Sequence, residues 1–279
     1  MIVDLCPYID NFLAYEKKAL PNLIGDLKKC KPDLFVDLSN SLKGSLLCLF
    51  CGCFSLRYKK TPTMHAVDNF LLSLAPLAID IKRPLFPTIE IDESAYRDLP
   101  APLNQEEMKK LKWLGIVCGV GAKRPHRGWQ KNNWLMFLKH LEDKNDVLPI
   151  LIGGPEEISL GADIESSAGG KLINLCGKLN LEETAALIKA CQLVIACDTG
   201  PAHIAVATGT PVIGIYGATL LSRSGPYGYS NLAISASDSC RCLEARHCLI
   251  KPENGPGQCM DQIDAHTLIK TVDDFLLAR

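Results

Sequence analysis

Three short stretches concentrate the side chains that could handle a phosphorylated ligand. In GAKRPHRGW, Lys123, Arg124, His126 and Arg127 fall within five residues. That density suffices to bind a diphosphate through charge-assisted hydrogen bonds, although a solvated basic loop has the same composition. Gly153-Gly154-Pro155-Glu156-Glu157 sets two carboxylates after a glycine turn, an arrangement that compensation of a helix dipole also explains. In Cys197-Asp198-Thr199-Gly200-Pro201-Ala202-His203 an acid, a hydroxyl and an imidazole surround a glycine. Asp198 could bond sugar hydroxyls and the amides of 200–203 would suit a diphosphate, whereas simple helix capping would account for Asp198 and Thr199 without any ligand.

The elements that must position these residues follow from apolar patterning. Residues 193–196 are a short β-branched run that ends at the Asp198 loop, as a buried strand does. Thr199 or Gly200 can cap a following helix whose first turn accepts Pro201. Ala202, Ala205, Val206 and Ala207 give that helix a small apolar face, and Gly209 stands where a left-handed cap is expected before Thr210-Pro211 opens the next strand. Upstream, strands are expected at 115–119, 147–152 and 172–175 and helices at 134–141, after Pro155 and at 181–190. Alternation of this kind means a doubly wound parallel sheet. Ligands of such sheets sit beyond the carboxyl ends of the strands, the rim on which all three stretches fall.

The string DTGPAHIAVATGTPVIGIYGAT, followed by Gly225-Pro226-Tyr227-Gly228, resembles the signature of glycosyltransferase family 9, the ADP-heptose:lipopolysaccharide heptosyltransferases. The resemblance rests on Asp-Thr-Gly, a His three residues beyond the Gly, the Pro opening the next strand and Tyr-Gly-x-Thr closing it. It extends to Arg127-Gly128-Trp129-Gln130, where the family has Lys/Arg-x-Trp-Pro, and to Gly153-Gly154 with Glu157, matching Gly-Gly-x-x-Glu. By this resemblance Arg127 stands in the place of the phosphate-binding Lys and Glu157 in that of the donor-ribose ligand. Lys123, Thr199, Gly200 and Pro201 complete the expected donor site, with Asp198 orienting the transferred sugar and His203 donating to phosphate or sugar.

The N-terminal part resembles the family's acceptor side more weakly, through Cys6 to Asp10 and through a strand at 34–38 leading into Ser41-Leu42-Lys43. Helices are expected at 20–31 and 41–51. Family members carry a strand, a Gly-Asp loop and a helix ahead of this region, and the loop Asp is the proposed general base. Here the sequence reads as starting after that unit, so the base is absent and Asp37 and Asp10 are weak substitutes; Asp37 is equally explained as a strand-end residue. The resemblance therefore implies a GT-B type α/β fold with two Rossmann-like domains, the first lacking its initial strand-helix-strand unit. Residues 1–105 form the acceptor side, with a polar boundary over 92–112. Residues 113–262 form the donor side, and the helix in 263–279 packs back across the boundary.

Composition sets further bounds. With 279 residues, 47% of them hydrophobic, the chain can fill two cores. Thirty basic against 31 acidic residues exclude a nucleic-acid binder that works by broad charge neutralisation. Thirteen cysteines, an odd count with no secretion signal, point to reduced thiols in a cytoplasmic protein. Cys48, Cys51 and Cys53 read as core packing; Cys240, Cys242, Cys248 and Cys259 have poor zinc spacing, and no metal is assigned. No apolar run is long enough to span a membrane.

The activity implied by the resemblance is inverting, metal-independent transfer of a heptose or related sugar from a nucleotide-sugar donor to a lipopolysaccharide core acceptor. No D-x-D is present and no cofactor is expected beyond the ADP-sugar substrate. Peripheral contact with the cytoplasmic face of the inner membrane and self-association over the incomplete domain are further expectations. The alternative from another class is a catalytically impaired nucleotide-sugar-binding remnant. A sugar-nucleotide epimerase is disfavoured by Asp-Thr-Gly-Pro-x-His, and a nicotinamide enzyme by the lack of G-x-G-x-x-G after a first strand.

Overall fold

The computed structural model describes residues 5–11, 20–39, 41–61, 63–80, 86–97, 99–103, 105–245, 248–250 and 255–278. The chain divides into two compact units, Ile9–Leu85 on one hand and Met1–Tyr8 with Phe86–Arg279 on the other.

In the smaller unit α1 (Leu20–Cys30) precedes β1 (Leu34–Asp37), α2 (Leu42–Phe50), β2 (Phe54–Arg57) and α3 (Ala66–Leu72). β1 and β2 pair in parallel, from Leu34 opposite Phe54 to Asp37 opposite Arg57. Ser41 caps α2 by accepting the Gly44 N–H at 3.0 Å, which satisfies one of the orphan donors of the first turn. Gly44 is required by close approach, because a Cβ there would run into the Asp37 carboxylate. Cys51 is buried with its Sγ 3.5 Å from that of Cys53, in the apolar setting expected of that cluster.

The larger unit opens with short helices α4 (Glu93–Arg97) and α5 (Glu106–Lys109). The main βα succession follows: β3 (Lys112–Val117), α6 (Lys131–Leu141), β4 (Val147–Ile152), α7 (Ile158–Ser167), β5 (Ile173–Asn174), α8 (Leu181–Ala190), β6 (Leu193–Cys197), α9 (Gly200–Thr208) and β7 (Val212–Tyr216). Then come α10 (Leu221–Ser224), β8 (Ile234–Ser235) and α11 (Ala265–Leu277). The six strands are parallel in the order β5-β4-β3-β6-β7-β8. The chain thus winds outward from β3 to one edge, returns, and winds outward from β6 to the other, which opens a crevice between the loops after β3 and β6.

Period-2 alternation explains why both sheet faces are covered. Leu114, Ile116, Leu193 and Ile195 share one core with Trp134, Phe137 and Leu141 of α6, Ile164 of α7 and Leu268 and Val272 of α11. Trp113, Val117, Val194 and Ala196 share the other with Leu187 and Ile188 of α8 and Ala202, Ala205 and Val206 of α9. Each fully buried Leu or Ile side chain stabilises the unit by about 2 kcal/mol.

The polar stretch 92–112, expected as an interdomain boundary, belongs to the larger unit, whose second segment begins at Phe86. Leu99 and Leu103 are buried in the second core, and Ile89 N–H bonds the Ala207 carbonyl at 3.3 Å. Two apolar anchors outweigh the surrounding polar composition. Helix α11 lies against α6 in the same unit: Asp273 meets His140 at 3.0 Å and Lys144 at 2.9 Å.

Candidate functional site

The crevice residues come from the loops predicted to carry them. After β3, Gly121 takes a left-handed φ of +70°, which a glycine adopts without steric cost. Pro125–Arg127 then forms a single 3₁₀ turn, and Gly128 N–H closes it on the Pro125 carbonyl at 3.0 Å. Trp129 anchors the far end of the loop. It is buried, donates from Nε1 to the Ile263 carbonyl at 2.7 Å, and stacks edge-on against Trp134 with centroids 4.8 Å apart. The tryptophan therefore fixes the arginine two residues before it, even with Gln130 where the family has Pro.

Arg127 points across the crevice to the loop after β6, where its Nη1 forms an ion pair with Asp198 Oδ2. Side chains in this pair are only 13% and 8% exposed, so the interaction is shielded from water and held rigidly. Burial lowers the pKa of Arg127 while Asp198 works in the opposite direction; the guanidinium stays charged at neutral pH. Thr219, just beyond β7, donates its hydroxyl to the same Asp198 oxygen at 2.6 Å. Sequence reasoning did not select Thr219 as a site residue. Its signal was the Thr that ends Tyr216-Gly217-Ala218-Thr219.

Helix α9 starts immediately beyond Asp198. Thr199 occupies the N-cap with extended backbone but makes no cap hydrogen bond, contrary to the capping role open to it, and its buried hydroxyl has no partner. Pro201 lies in the first turn, and Gly209 closes the helix at φ +75° with its N–H on the Ala205 and Val206 carbonyls, as the spacing implied. The uncapped first turn leaves backbone donors and a partial positive charge facing the crevice.

Thr199, Gly200 and Pro201 form one side of a cleft of about 370 Å³. Val117, Ile152, Leu179 and Leu181 supply apolar walls, and Asn180, Thr184 and Glu157 supply polar groups. Glu157 does more than compensate a helix dipole. Its Oε1 accepts the Gly121 N–H and its Oε2 the Gly154 N–H, both at 2.9 Å, so one carboxylate ties the loop after β3 to the loop after β4. A Cβ on Gly119 would collide with the Glu157 side chain, which is why glycine follows Cys118. Each carboxylate oxygen keeps a second lone pair for a ligand hydroxyl.

Of the expected residues, Glu157, Thr199, Gly200 and Pro201 line this cleft; Arg127 and Asp198 do not line it, although Asp198 adjoins Thr199 in the chain. Lys123 and His203 are exposed and do not line it either. Asp10 is exposed in the smaller unit. Asp37, in the same unit, is 4% exposed and accepts the Ser39 N–H at 2.9 Å, the Ser39 hydroxyl at 2.6 Å and Arg57 Nε at 3.4 Å. Burial opposes its ionisation, but the Ser39 and Arg57 bonds outweigh it and hold the carboxyl below its ordinary range. A carboxylate stabilised in that way is a weak proton acceptor.

The thirteen cysteines are free thiols. Cys242 Sγ lies 3.7 Å from Cys248 Sγ; among the described residues no three His, Cys, Asp or Glu side chains are set to hold a metal ion. Burial pushes Cys191 and Cys197, inside the sheet, up to about 12, as befits packing residues. Among the described residues no helix is long and apolar enough to cross a membrane.

Lipopolysaccharide heptosyltransferase 3 of Escherichia coli is 40% identical over 160 residues, covering 56% of this chain and 45% of that protein. Lipopolysaccharide core heptosyltransferase OpsX of Haemophilus influenzae is 45% identical over 62 residues, 22% of this chain and 18% of its own length. The matches thus span less than half the length of these curated relatives. Among solved structures, a family 9 glycosyltransferase from Veillonella parvula superposes with a TM-score of 0.78 at 19% identity, over 100% of this chain and 85% of that one. E. coli ADP-heptose LPS heptosyltransferase II gives 0.74 at 19% identity, over 99% and 86%. The likeness gives the fold, which is of the GT-B type. The family model for glycosyltransferase family 9 (heptosyltransferase) matches residues 22–252, and the chain belongs to that family.

Proposed function

We propose that this chain binds a nucleotide-sugar donor, ADP-heptose or a close relative, in the crevice between β3 and β6 and transfers its sugar to a lipopolysaccharide core acceptor. The observation that carries the reading is the Arg127–Asp198 ion pair beside the uncapped start of α9. A cation, free amides and a sugar-binding carboxylate meet there at the switch point of the sheet. A solved E. coli heptosyltransferase with ADP, 18% identical, shares the fold at a TM-score of 0.63 over 94% of this chain and 78% of that one.

The chemistry assigned to each residue follows from its position. The apolar walls of the cleft receive the flat base, and Glu157 accepts from the ribose hydroxyls. As the acceptor oxygen attacks the anomeric carbon and gives up its hydroxyl proton to solvent water, the bond to the diphosphate breaks and negative charge grows on the leaving group. Arg127 and the backbone N–H groups of Gly200 and Ala202 stabilise that charge, and the exposed side chains of Lys123 and His203 reach the diphosphate from outside the cleft. The displacement inverts the anomeric centre and needs no metal. Asp198 orients the transferred sugar. On this reading the chain makes peripheral contact with the cytoplasmic face of the inner membrane, where a lipopolysaccharide core acceptor would be presented.

Release of ADP from ADP-heptose in the presence of a core oligosaccharide tests this reading. Acceptor-dependent release by wild type, abolished in an Asp198→Ala chain that is less stable but still folded, is expected. Tight ADP binding without acceptor-dependent release would instead favour a donor-binding protein without transferase activity.

A further inference from the structure

The ion pair and the Thr219 bond both end on Asp198 Oδ2. Two donors on one oxygen fix the carboxylate's rotation and turn Oδ1 toward whatever else enters the crevice. Arg127 alone would not do this, because a guanidinium accommodates either oxygen or both. Thr219 has one hydroxyl proton, is 2% exposed, and delivers it from a defined backbone position.

That backbone position is itself braced on both sides by one residue. Glu244 N–H donates to the Ala218 carbonyl at 2.8 Å, and Glu244 Oε1 accepts the Leu220 N–H at 3.1 Å. The second carboxylate oxygen pairs with Arg223. Glu244 adopts a left-handed φ of +61°, an unfavourable conformation for a residue with a side chain. The chain maintains it where it clamps the two peptides flanking Thr219.

We propose that Thr219, held by Glu244, is a positioning residue of the donor site: it sets the rotation of Asp198 so that Oδ1 is presented to a hydroxyl of the transferred sugar. The inference rests on the donor-site reading above and assigns a role to a residue that does not itself touch the diphosphate. Thr219 thereby controls recognition of the sugar and leaves recognition of the nucleotide to Arg127, Glu157 and α9.

The test compares ADP with ADP-heptose, without acceptor, by titration calorimetry on wild type, Thr219→Val, Thr219→Ser and Glu244→Gln. Valine keeps the shape and removes the donor; serine keeps the donor. Thr219→Val is expected to weaken ADP-heptose by about tenfold, the effect of losing one hydrogen bond to a charged group, and ADP by less than about twofold. Thr219→Ser should restore the sugar-bearing ligand, and Glu244→Gln should fall between. Equal affinities of Thr219→Val and wild type for ADP-heptose would overturn the inference while leaving the donor-site reading intact. Parallel loss of both ligands in the valine and serine variants would reduce Thr219 to a packing residue and overturn it too. Failure of the wild-type chain to bind either ligand would remove the donor-site reading and this inference with it.

Discussion

Arg127 and Asp198 lie 71 residues apart in sequence and form a largely shielded ion pair across the crevice between β3 and β6. The pair joins the two loops that follow β3 and β6, the strands at the switch point of a sheet ordered 5-4-3-6-7-8. Burying two charges is costly unless geometry and further hydrogen bonds compensate, and here Thr219 supplies one of them. Such an arrangement is worth keeping where a ligand exploits it.

Replacing Arg127 by methionine leaves Asp198 buried without its cation. The unit should lose about 3 kcal/mol of stability, read from urea unfolding at pH 7, and ADP affinity should fall by more than about tenfold. The double variant Arg127→Met with Asp198→Asn should regain part of the stability and none of the affinity. Recovery of ADP binding in the double variant would detach the arginine from phosphate recognition.

Gly119 and Gly200 make opposite predictions about one cleft. Alanine at 119 forces the Glu157 side chain aside and breaks its bonds to Gly121 and Gly154. Both stability and ADP affinity should fall, the former by about 2 kcal/mol.

Alanine at 200 meets nothing within 4 Å beyond its chain neighbours, but it is the first residue of α9 and precedes Pro201, which disfavours helical backbone for a residue with a Cβ, so no gain in helix stability is expected. Its new methyl group stands where the diphosphate would approach the first amides of α9. The melting temperature should change little while ADP binding weakens by at least about fivefold. Unchanged binding would place the phosphates elsewhere.

Asp273 ties α11 to α6. Burial opposes its charge, but hydrogen bonds from Lys144 and His140 prevail and its pKa lies below the ordinary carboxylate value. A depressed folded-state pKa contributes stability that is present above the unfolded value of about 3.9 and is lost as pH falls through the folded value. At 27% exposure the contribution is about 1 kcal/mol. Asp273→Asn should therefore be less stable than wild type at pH 7, with the gap closing below pH ~4; a gap independent of pH would contradict this assignment.

Much of the larger unit was legible from residue patterns. The strand 147–152 and the helix 181–190 coincide with β4 and α8, because continuous apolar runs and an Asn180 capping box leave little ambiguity. The boundary was not legible: Pro100, Pro102 and a charged helix start read as a linker, whereas the burial of Leu99 and Leu103 is a tertiary effect. In the candidate site, Arg127, Asp198, Glu157 and Thr199 to Pro201 could be named from residue type together with the family resemblance, and they fall on the loops after β3, β4 and β6. Their partners were not, since the two backbone bonds of Glu157 and the Thr219 bond to Asp198 join segments distant in the chain. Thr199 shows the converse, a residue suited to capping whose hydroxyl is left without a partner.

The most direct test of the donor-site account is titration calorimetry of ADP into the wild-type chain and into Asp198→Ala and Arg127→Met. The account expects saturable one-to-one binding by wild type, little loss of ADP affinity in Asp198→Ala when Arg127 remains in place, and large loss in Arg127→Met. Absence of ADP binding by a folded wild-type chain, or equal affinity in Arg127→Met, would contradict it.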